Sequence, residues 1–332
     1  MSEPKKKNNL LSWLMRVGFS AALLGYIFSK IDITQTWTVF KSADFSYIFY
    51  AWWVFCFINA IILWRWFTLI RAVDLTTPFF TVARYFLVGL FGNLFLPSAV
   101  GGDIIKIVGL CKDSHQKPKV VASVLLDRLS GFSGIVVVAI GAFLFGYRII
   151  NNPSLLIFVM ILAAVSLTVT FILFNERIYS FSCQIFNAFP RVKNSLMSLH
   201  YDVSLLKTKK IEGFKAIGFS CMAQILLAFV FYLVAKALHQ DIPIIYFLIF
   251  VPMICVVSSV PSIGGLGVRE AGAVYLFTKI GVPSNIALSI SLINFSFMVL
   301  IGLLGGIVYV ITLSSRRVQH YPSDTKAKPR EA

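Results

Sequence analysis

Eight stretches of this chain are apolar for long enough to cross a bilayer: 10–29, 46–70, 79–96, 120–147, 153–174, 214–237, 243–260 and 284–312. A spanning helix needs about 20 such residues, because every backbone N–H and C=O must be paired where no water reaches. The fold class that follows is an all-α polytopic membrane protein. Composition points the same way. Of 332 residues, 58% are hydrophobic and 13% charged, against about 45–50% and about 25% in soluble domains. A soluble globule, a disordered chain and a collagen-like fibre are excluded.

The few charges are lopsided, with 30 Lys and Arg against 14 Asp and Glu and a net of +16. On a soluble chain that surplus would suggest nucleic acid. On a membrane chain it marks the loops that face the cytoplasm, so no nucleic-acid partner is expected. The bias is strongest if 79–111 enters and returns on one side and 265–281 makes a short crossing. Lys5–Lys7, Arg65, Arg71, Arg84, Lys106–Lys119, the 176–215 segment and Arg316–Arg330 then share the inner side. Lys30, Lys41, Arg148, Lys236 and Lys279 remain outside. This predicts about eight crossings plus re-entrant or broken helices, with both termini cytoplasmic, in the cell membrane. The N-terminus resembles a signal peptide, but Arg16 interrupts its apolar run and no A-x-A pattern follows. It reads as an uncleaved first helix.

One transmembrane domain is expected over 1–315, followed by a disordered basic tail over 316–332. Within it, 176–210 reads as amphipathic and cytoplasmic. Ile178, Phe181, Ile185 and Phe189 recur at helical spacing, as do Leu196, Leu199, Val203 and Leu206. The five cysteines form no CxxC pair and no two of the four histidines stand at i, i+4. No metal site and no cofactor are expected.

An internal echo is the first functional signal. Residues 96–103 read Leu-Pro-Ser-Ala-Val-Gly-Gly-Asp, and residues 260–267 read Val-Pro-Ser-Ile-Gly-Gly-Leu-Gly. Gly- and Pro-interrupted apolar segments in the two halves of a membrane protein point to a transporter binding site and to an internal repeat. Pro97 and Pro261 end a helix at membrane depth, and Gly101-Gly102 and Gly264-Gly265 let the backbone turn. The freed N–H groups must face protein, water or a ligand, and a following helix N-terminus suits an anion. Plain turns between helices are the alternative.

Intramembrane charges are the second signal. Asp127-Arg128 lies inside the run 120–147, at about 2.5–3.5 kcal/mol per charge near a helix centre. Neighbours on a helix point about 100° apart, so each needs its own partner. Function is the default reading; a charge network pinning helices together is the alternative. Asp103 reads as a cap for a short helix over 104–110, with Lys106 one turn in, within reach of an anion or Asp127. Gly267, Arg269 and Glu270 follow the second Gly pair, and Asn93 and Arg84 lead into the first. Arg16 and Arg65, nearer run ends, read as snorkelling. Gly302 and Gly306 read as helix packing.

Together these residues resemble the lysylphosphatidylglycerol synthase transmembrane-region family of flippase-like integral membrane proteins. The matching stretches are Asn93-Leu-Phe-Leu-Pro97-Ser98, Gly101-Gly102-Asp103 with Lys106, Asp127-Arg128 with Gly131, and Pro261 to Glu270. The resemblance implies an eight-helix-type domain associated with moving lipids between leaflets. In fused relatives a similar domain is linked to flipping aminoacylated phosphatidylglycerol, which a soluble domain makes. The chain ends soon after its last helix, so no synthase domain is expected and the lipid identity does not carry over. The expected function is a non-enzymatic lipid flippase or transporter. Lys106, Arg128 and Arg269 would hold an anionic phosphate head group, on a phospholipid or a polyprenyl phosphate. Asp103, Asp127 and Glu270 would hold a cationic moiety or carry a proton. The alternatives are a membrane-embedded lipid-modifying enzyme and an accessory subunit beside a lipid-synthesising partner enzyme.

Overall fold

The computed structural model describes residues 41–95, 101–113, 116–146, 209–258 and 266–319. The first helix expected at 10–29, the run 153–174, the amphipathic segment up to 208 and the tail from 320 lie outside these residues. So do both Pro-Ser segments, 96–100 and 259–265, and with them Pro97, Pro261, Gly264 and Gly265.

The described residues form eight helices and no strand. They are α1 (Phe45–Ala72), α2 (Phe79–Phe95), α3 (Gly101–Asp113) and α4 (Lys117–Gly146), then α5 (Lys210–Ala237), α6 (Ile244–Val257), α7 (Val268–Thr278) and α8 (Ser284–Gln319). Helices α1, α4, α5 and α8 are long and apolar enough to cross a membrane. At about 1.5 Å per residue, α2 and α3 reach roughly 26 and 20 Å, and α6 and α7 roughly 21 and 16 Å. Each falls short of a hydrocarbon core of about 30 Å. The short crossing expected over 265–281 is therefore one arm of a broken pair. Helix α8 also continues past 315, into the expected tail.

Helices α1 and α5 run antiparallel and form the centre. The Asp44 amide donates to the Ala237 carbonyl at 2.9 Å, and the His239 ring meets the Ser42 carbonyl at 3.1 Å. At the other end Asp74, after α1, is salt-bridged to Lys209, before α5. The Lys209 ammonium holds the Asp74 carboxyl below the usual carboxylate range, chiefly through that hydrogen bond. Lys236 does the same for Asp241 at the opposite end.

The short helices pair as two antiparallel hairpins. In α2–α3, Gly102 lies on Gly89 and Asn93, and Gly109 on Tyr85. A Cβ on Gly102 would stand 2.3 Å from the Gly89 carbonyl oxygen, so glycine is what permits this approach. In α6–α7, Phe277 near the end of α7 packs on Phe247 and Phe250 at centroid distances of 5.4 and 5.5 Å. The first hairpin starts beside the C-terminal end of α1. The second starts beside the C-terminal end of α5, at the opposite end of the antiparallel pair.

Among the described residues, α1–α4 and α5–α8 follow the same order of a long, two short and a long helix, with α1 and α5 antiparallel. Their helices run 28, 17, 13 and 30 residues in the first half, and 28, 14, 11 and 36 in the second. One pair of contacts corresponds, α2 on α8 and α6 on α4, whereas α5 packs broadly on α4 and α1 barely on α8. Gly305 sets the first of these contacts, since a Cβ there would meet the Leu87 carbonyl oxygen at 2.0 Å. Gly302 lies on Leu94 and Gly306 on Phe91, so these glycines serve packing. One apolar core gathers Trp66, Leu69, Ile70, Phe86 and Leu110 around the first hairpin. A larger one gathers Val234, Phe247, Phe250, Met253 and Phe277 around the second.

Candidate functional site

The first hairpin brings its charges against the long helices. Asp103, in the first turn of α3, is salt-bridged to Arg128 of α4. Its other oxygen, Oδ1, lies 3.6 Å from Lys106 Nζ one turn along. Lys106 Nζ also stands 3.9 Å from Asp127 Oδ2, and lies 5.0 and 5.1 Å from the ring centroids of Trp66 and Phe86. Asp127 Oδ1 accepts a 2.8 Å bond from Arg65 Nε on α1, whose Nη1 donates to Ser220 Oγ on α5 at 2.9 Å. Gly131 makes room for that guanidinium: a Cβ there would stand 3.3 Å from Arg65 Nη1. Asp103, Lys106, Asp127 and Arg65 are buried, at 4, 6, 5 and 8% exposure. Arg128 is the open member, its side chain 39% exposed.

Among the described residues, three cations and two carboxylates therefore join α1, α3 and α4, and Ser220 ties α5 to them. Burying them is costly, and the mutual attraction offsets the cost only where the geometry is good and the remaining lone pairs are bonded. Two groups here fall short of that. Lys106 sits farther from both carboxylates than the 2.7–3.2 Å of an N–H···O bond. The indole Nε1–H of Trp66, a fully buried residue, has no hydrogen-bond acceptor.

The second hairpin repeats the plan with fewer charges. Glu270 is the third residue of α7, as Asp103 is of α3, and it is fully buried. Its Oε2 accepts the Gly267 amide at 2.6 Å. Gly267 holds φ +86°, a conformation that favours glycine. Glu270 Oε1 is salt-bridged to Arg269 and accepts from Ser291 of α8 at 3.4 Å. The Arg269 guanidinium lies 4.6 Å over the Phe295 ring. Asn294 is the eleventh residue of α8, as Asp127 is of α4. It is buried, and its Oδ1 lacks a donor. Phe295 stands where the first half has Arg128. The second half has a neutral amide and a ring where the first carries charge.

Helix α5 connects the two. Ser220, which meets Arg65, lies one turn from Gln224, whose Nε2 reaches Cys255 Sγ of α6 at 3.9 Å. A polar line thus runs from Arg65 along α5 to Cys255 of α6.

Among the expected site residues, Asn93 accepts the Gly102 amide at 2.8 Å and so ties α2 to the first turn of α3. Gly101, Gly102, Asp103, Lys106, Asp127 and Arg128 gather in the first half; Gly267, Arg269 and Glu270 gather in the second. Pro97, Pro261, Gly264 and Gly265 lie outside the described residues. Two expectations are corrected. Asp103 does not precede a helix starting at 104, because α3 begins at Gly101 and the Asp103 carboxylate faces Lys106 and Arg128. Arg65 does not snorkel, because it is buried on Asp127 and Ser220. Its nearness to the run end hid it; an Arg two turns inside a 28-residue helix, deeper than the terminal Arg71, is the signal that marks it. Trp66, Ser220, Gln224, Ser291 and Asn294 were also missed, since nothing in their local sequence sets them apart.

Among the described residues, four helices long and apolar enough to cross a membrane, with two hairpins of shorter helices, define a multi-pass α-helical membrane protein. The chain belongs to the lysylphosphatidylglycerol synthase TM region family, which it matches over residues 13–306. It is also similar to the UPF0104 membrane protein PH1989 of Pyrococcus horikoshii. The two are 25% identical over 307 residues, covering 83% of this chain and 90% of that protein.

Proposed function

We propose that the protein is a lipid transporter that moves a lipid with an anionic phosphate head group between leaflets of the cell membrane. The observation that carries this reading is the cluster in which Arg65, Asp103, Lys106 and Asp127 are buried beside Arg128, three cations on two carboxylates among the described residues. A charge of that kind at membrane depth is costly to maintain without a role, and a phosphate monoanion neutralises it. Two like halves of opposite orientation support the reading, because such halves let one site be reached from either side in turn. A hollow lined by Tyr232, Lys236, Asp241, Ile242 and Pro243 lies at the far end of α5 and takes no part.

On this reading the protein is not an enzyme. A general base needs its accepting oxygen turned toward a nucleophile, whereas Asp103 and Asp127 are turned toward cations. Orientation follows from charge. Arg71, Arg84, Lys112, Lys117, Lys119, Lys209 and Lys210 crowd the end where α1 finishes and α5 begins, and Lys41, Lys236 and Lys279 mark the other. The crowded end is assigned to the cytoplasm.

The test is a leaflet assay in liposomes with fluorescent phosphatidylglycerol, a polyprenyl phosphate and a neutral glycolipid. The expected result is protein-dependent loss of leaflet asymmetry for a phosphate-bearing lipid, abolished by Arg128→Gln. No movement of any lipid class sinks the proposal.

A further inference from the structure

The C-terminal ends of α1 and α5 are built alike, and one of them leaves a cation open. The same spacing along the chain separates Phe67 from Tyr232, Arg71 from Lys236, Asp74 from His239 and Pro78 from Pro243. Each helix closes with the same backbone bonds. The Asp74 and Leu75 amides donate to the Arg71 and Ile70 carbonyls, and the His239 and Gln240 amides donate to those of Lys236 and Ala235. Asp74 and His239 hold matching left-handed conformations, φ +56° and +58°. Each end then lays a cation over the ring one turn back. Arg71 Cζ lies 4.5 Å from the Phe67 centroid, and Lys236 Nζ lies 5.8 Å from that of Tyr232. At the α5 end these side chains, with Asp241 and the start of α6, line a hollow of about 340 Å³, within the range of small-ligand sites.

The two ends differ in one respect. Lys236 is salt-bridged to Asp241, whereas Thr76 stands at the matching position of the first half. The Asp74 carboxylate is committed to Lys209. Among the described residues no carboxylate pairs with Arg71, which is exposed. The ring beneath it belongs to a chain. Trp64 and Phe79 lie 6.0 and 5.2 Å from Phe67, and Phe80 lies 5.9 Å from Phe79. Trp64 and Phe80 are 52 and 84% exposed. Trp64 is two turns before Arg71 on the same face of α1, about 10 Å deeper. A guanidinium stacked on a ring keeps its N–H fork for a phosphate, and exposed rings leading from it into the apolar span suit an acyl chain. We infer that Arg71 seats the phosphate of an inner-leaflet lipid, with the acyl chain lying along Trp64 and Phe80. The inference rests on the proposed transport of a phosphate-bearing lipid and deepens it by naming where that lipid docks. Helix α2 begins at Phe79, so the seat adjoins the start of the first hairpin. The α5 end carries its own counter-ion in Asp241, which assigns docking to one leaflet.

The experiment is quenching of tryptophan fluorescence of the full-length protein in liposomes by lipids brominated in the acyl chain. The Trp64 signal is the difference between the wild type and Trp64→Phe. Brominated phosphatidylglycerol, phosphatidylcholine and diacylglycerol are compared at equal mole fraction. Phosphatidylglycerol is expected to quench Trp64 at the lowest mole fraction. Arg71→Gln is expected to lower that preference about fivefold, as loss of one cation facing anionic lipid does. Arg71→Lys, which keeps the charge, is expected to retain most of it. Lys112→Gln removes an exposed cation of the same end and is expected to leave the preference unchanged. Inorganic phosphate in place of chloride, at equal ionic strength, is expected to change nothing, because the acyl chain holds the lipid. Equal quenching by the three lipids, or a preference that Arg71→Gln leaves intact, overturns the inference. So does an equal loss in Lys112→Gln, which would make the effect one of general surface charge. Abolition by inorganic phosphate would make the seat one for the free ion and overturns the lipid. Quenching is read without transport, so a protein that seats the lipid in this way yet moves none would refute the proposed function and leave the seat standing.

Discussion

Arg65 is where the packing makes its strongest demand. It joins α1 to α4 through Asp127 and to α5 through Ser220, at 2.8 and 2.9 Å. Replacing it with Met keeps much of the side-chain length and removes the charge. Asp127 is then left with Lys106 alone, at 3.9 Å. Breaking one partner out of a buried ion pair costs about 3–5 kcal/mol, because the remaining charge is uncompensated. An ordinary interhelical hydrogen bond in a membrane contributes only about 0.6 kcal/mol, so the two cases separate cleanly. Pairing Arg65→Met with Asp127→Leu removes both charges and is expected to recover most of the loss. Ser220→Ala, which takes away one bond to a charged group, is expected to cost about 1.5 kcal/mol. Reversible unfolding in mixed micelles, followed by tryptophan fluorescence, measures these proteins beside the wild type and the Asp127→Leu single variant. A cost below about 0.6 kcal/mol for Arg65→Met, with no coupling to Asp127→Leu, would mean that Arg65 reaches the interface after all and that the cluster does not pin the bundle.

Three further outcomes follow from the geometry. Gly305→Ala should destabilise α8 against α2 by about 1–3 kcal/mol, since the new Cβ falls 2.0 Å from a backbone oxygen. Gly218→Ala, which meets nothing within 4 Å, should instead be neutral or gain about 0.4–1 kcal/mol in the same unfolding assay. Asn294→Leu removes a buried oxygen that lacks a donor, so it should change stability by no more than about 1 kcal/mol; a loss of several would show that Oδ1 has a partner in the folded protein. Asp74, held below the usual carboxylate range by Lys209, contributes its salt bridge fully at pH above its unfolded value. That contribution is lost as pH falls through the lowered folded value. Amide exchange where α1 leads toward α2 should therefore rise below the ordinary carboxylate range in the wild type, and show no such transition in Asp74→Asn.

The spans, the family and the breaks were legible in sequence because each rests on local chemistry. A backbone in hydrocarbon has to satisfy itself, so apolar run length reveals α1, α4, α5 and α8 directly. Gly101-Gly102 with Asp103, and Gly267 with Glu270, were visible because glycine and a carboxylate inside an apolar run have few uses. What each charge does was not legible. Asp103 read as a cap because helix starts commonly carry one, and only the approach of α4 shows it facing Arg128. Arg65 read as a snorkelling residue because its partners stand 62 and 155 residues away. Trp66 and Asn294 look like any aromatic or amide in a membrane helix until burial leaves one of their polar atoms without a partner.

Sequence by itself determined that this chain lives in a membrane, that two segments break its helices, and which residues carry charge there. Those follow from the cost of exposing backbone and charge to hydrocarbon, which a single residue and its neighbours already set. The tertiary structure decided which charges meet. The antiparallel pairing of α1 with α5 brings the two hairpins in from opposite ends and gives the halves different electrostatics, three cations in one and a lone Arg269 in the other. Partner choice depends on which helix faces which, and no local pattern encodes that.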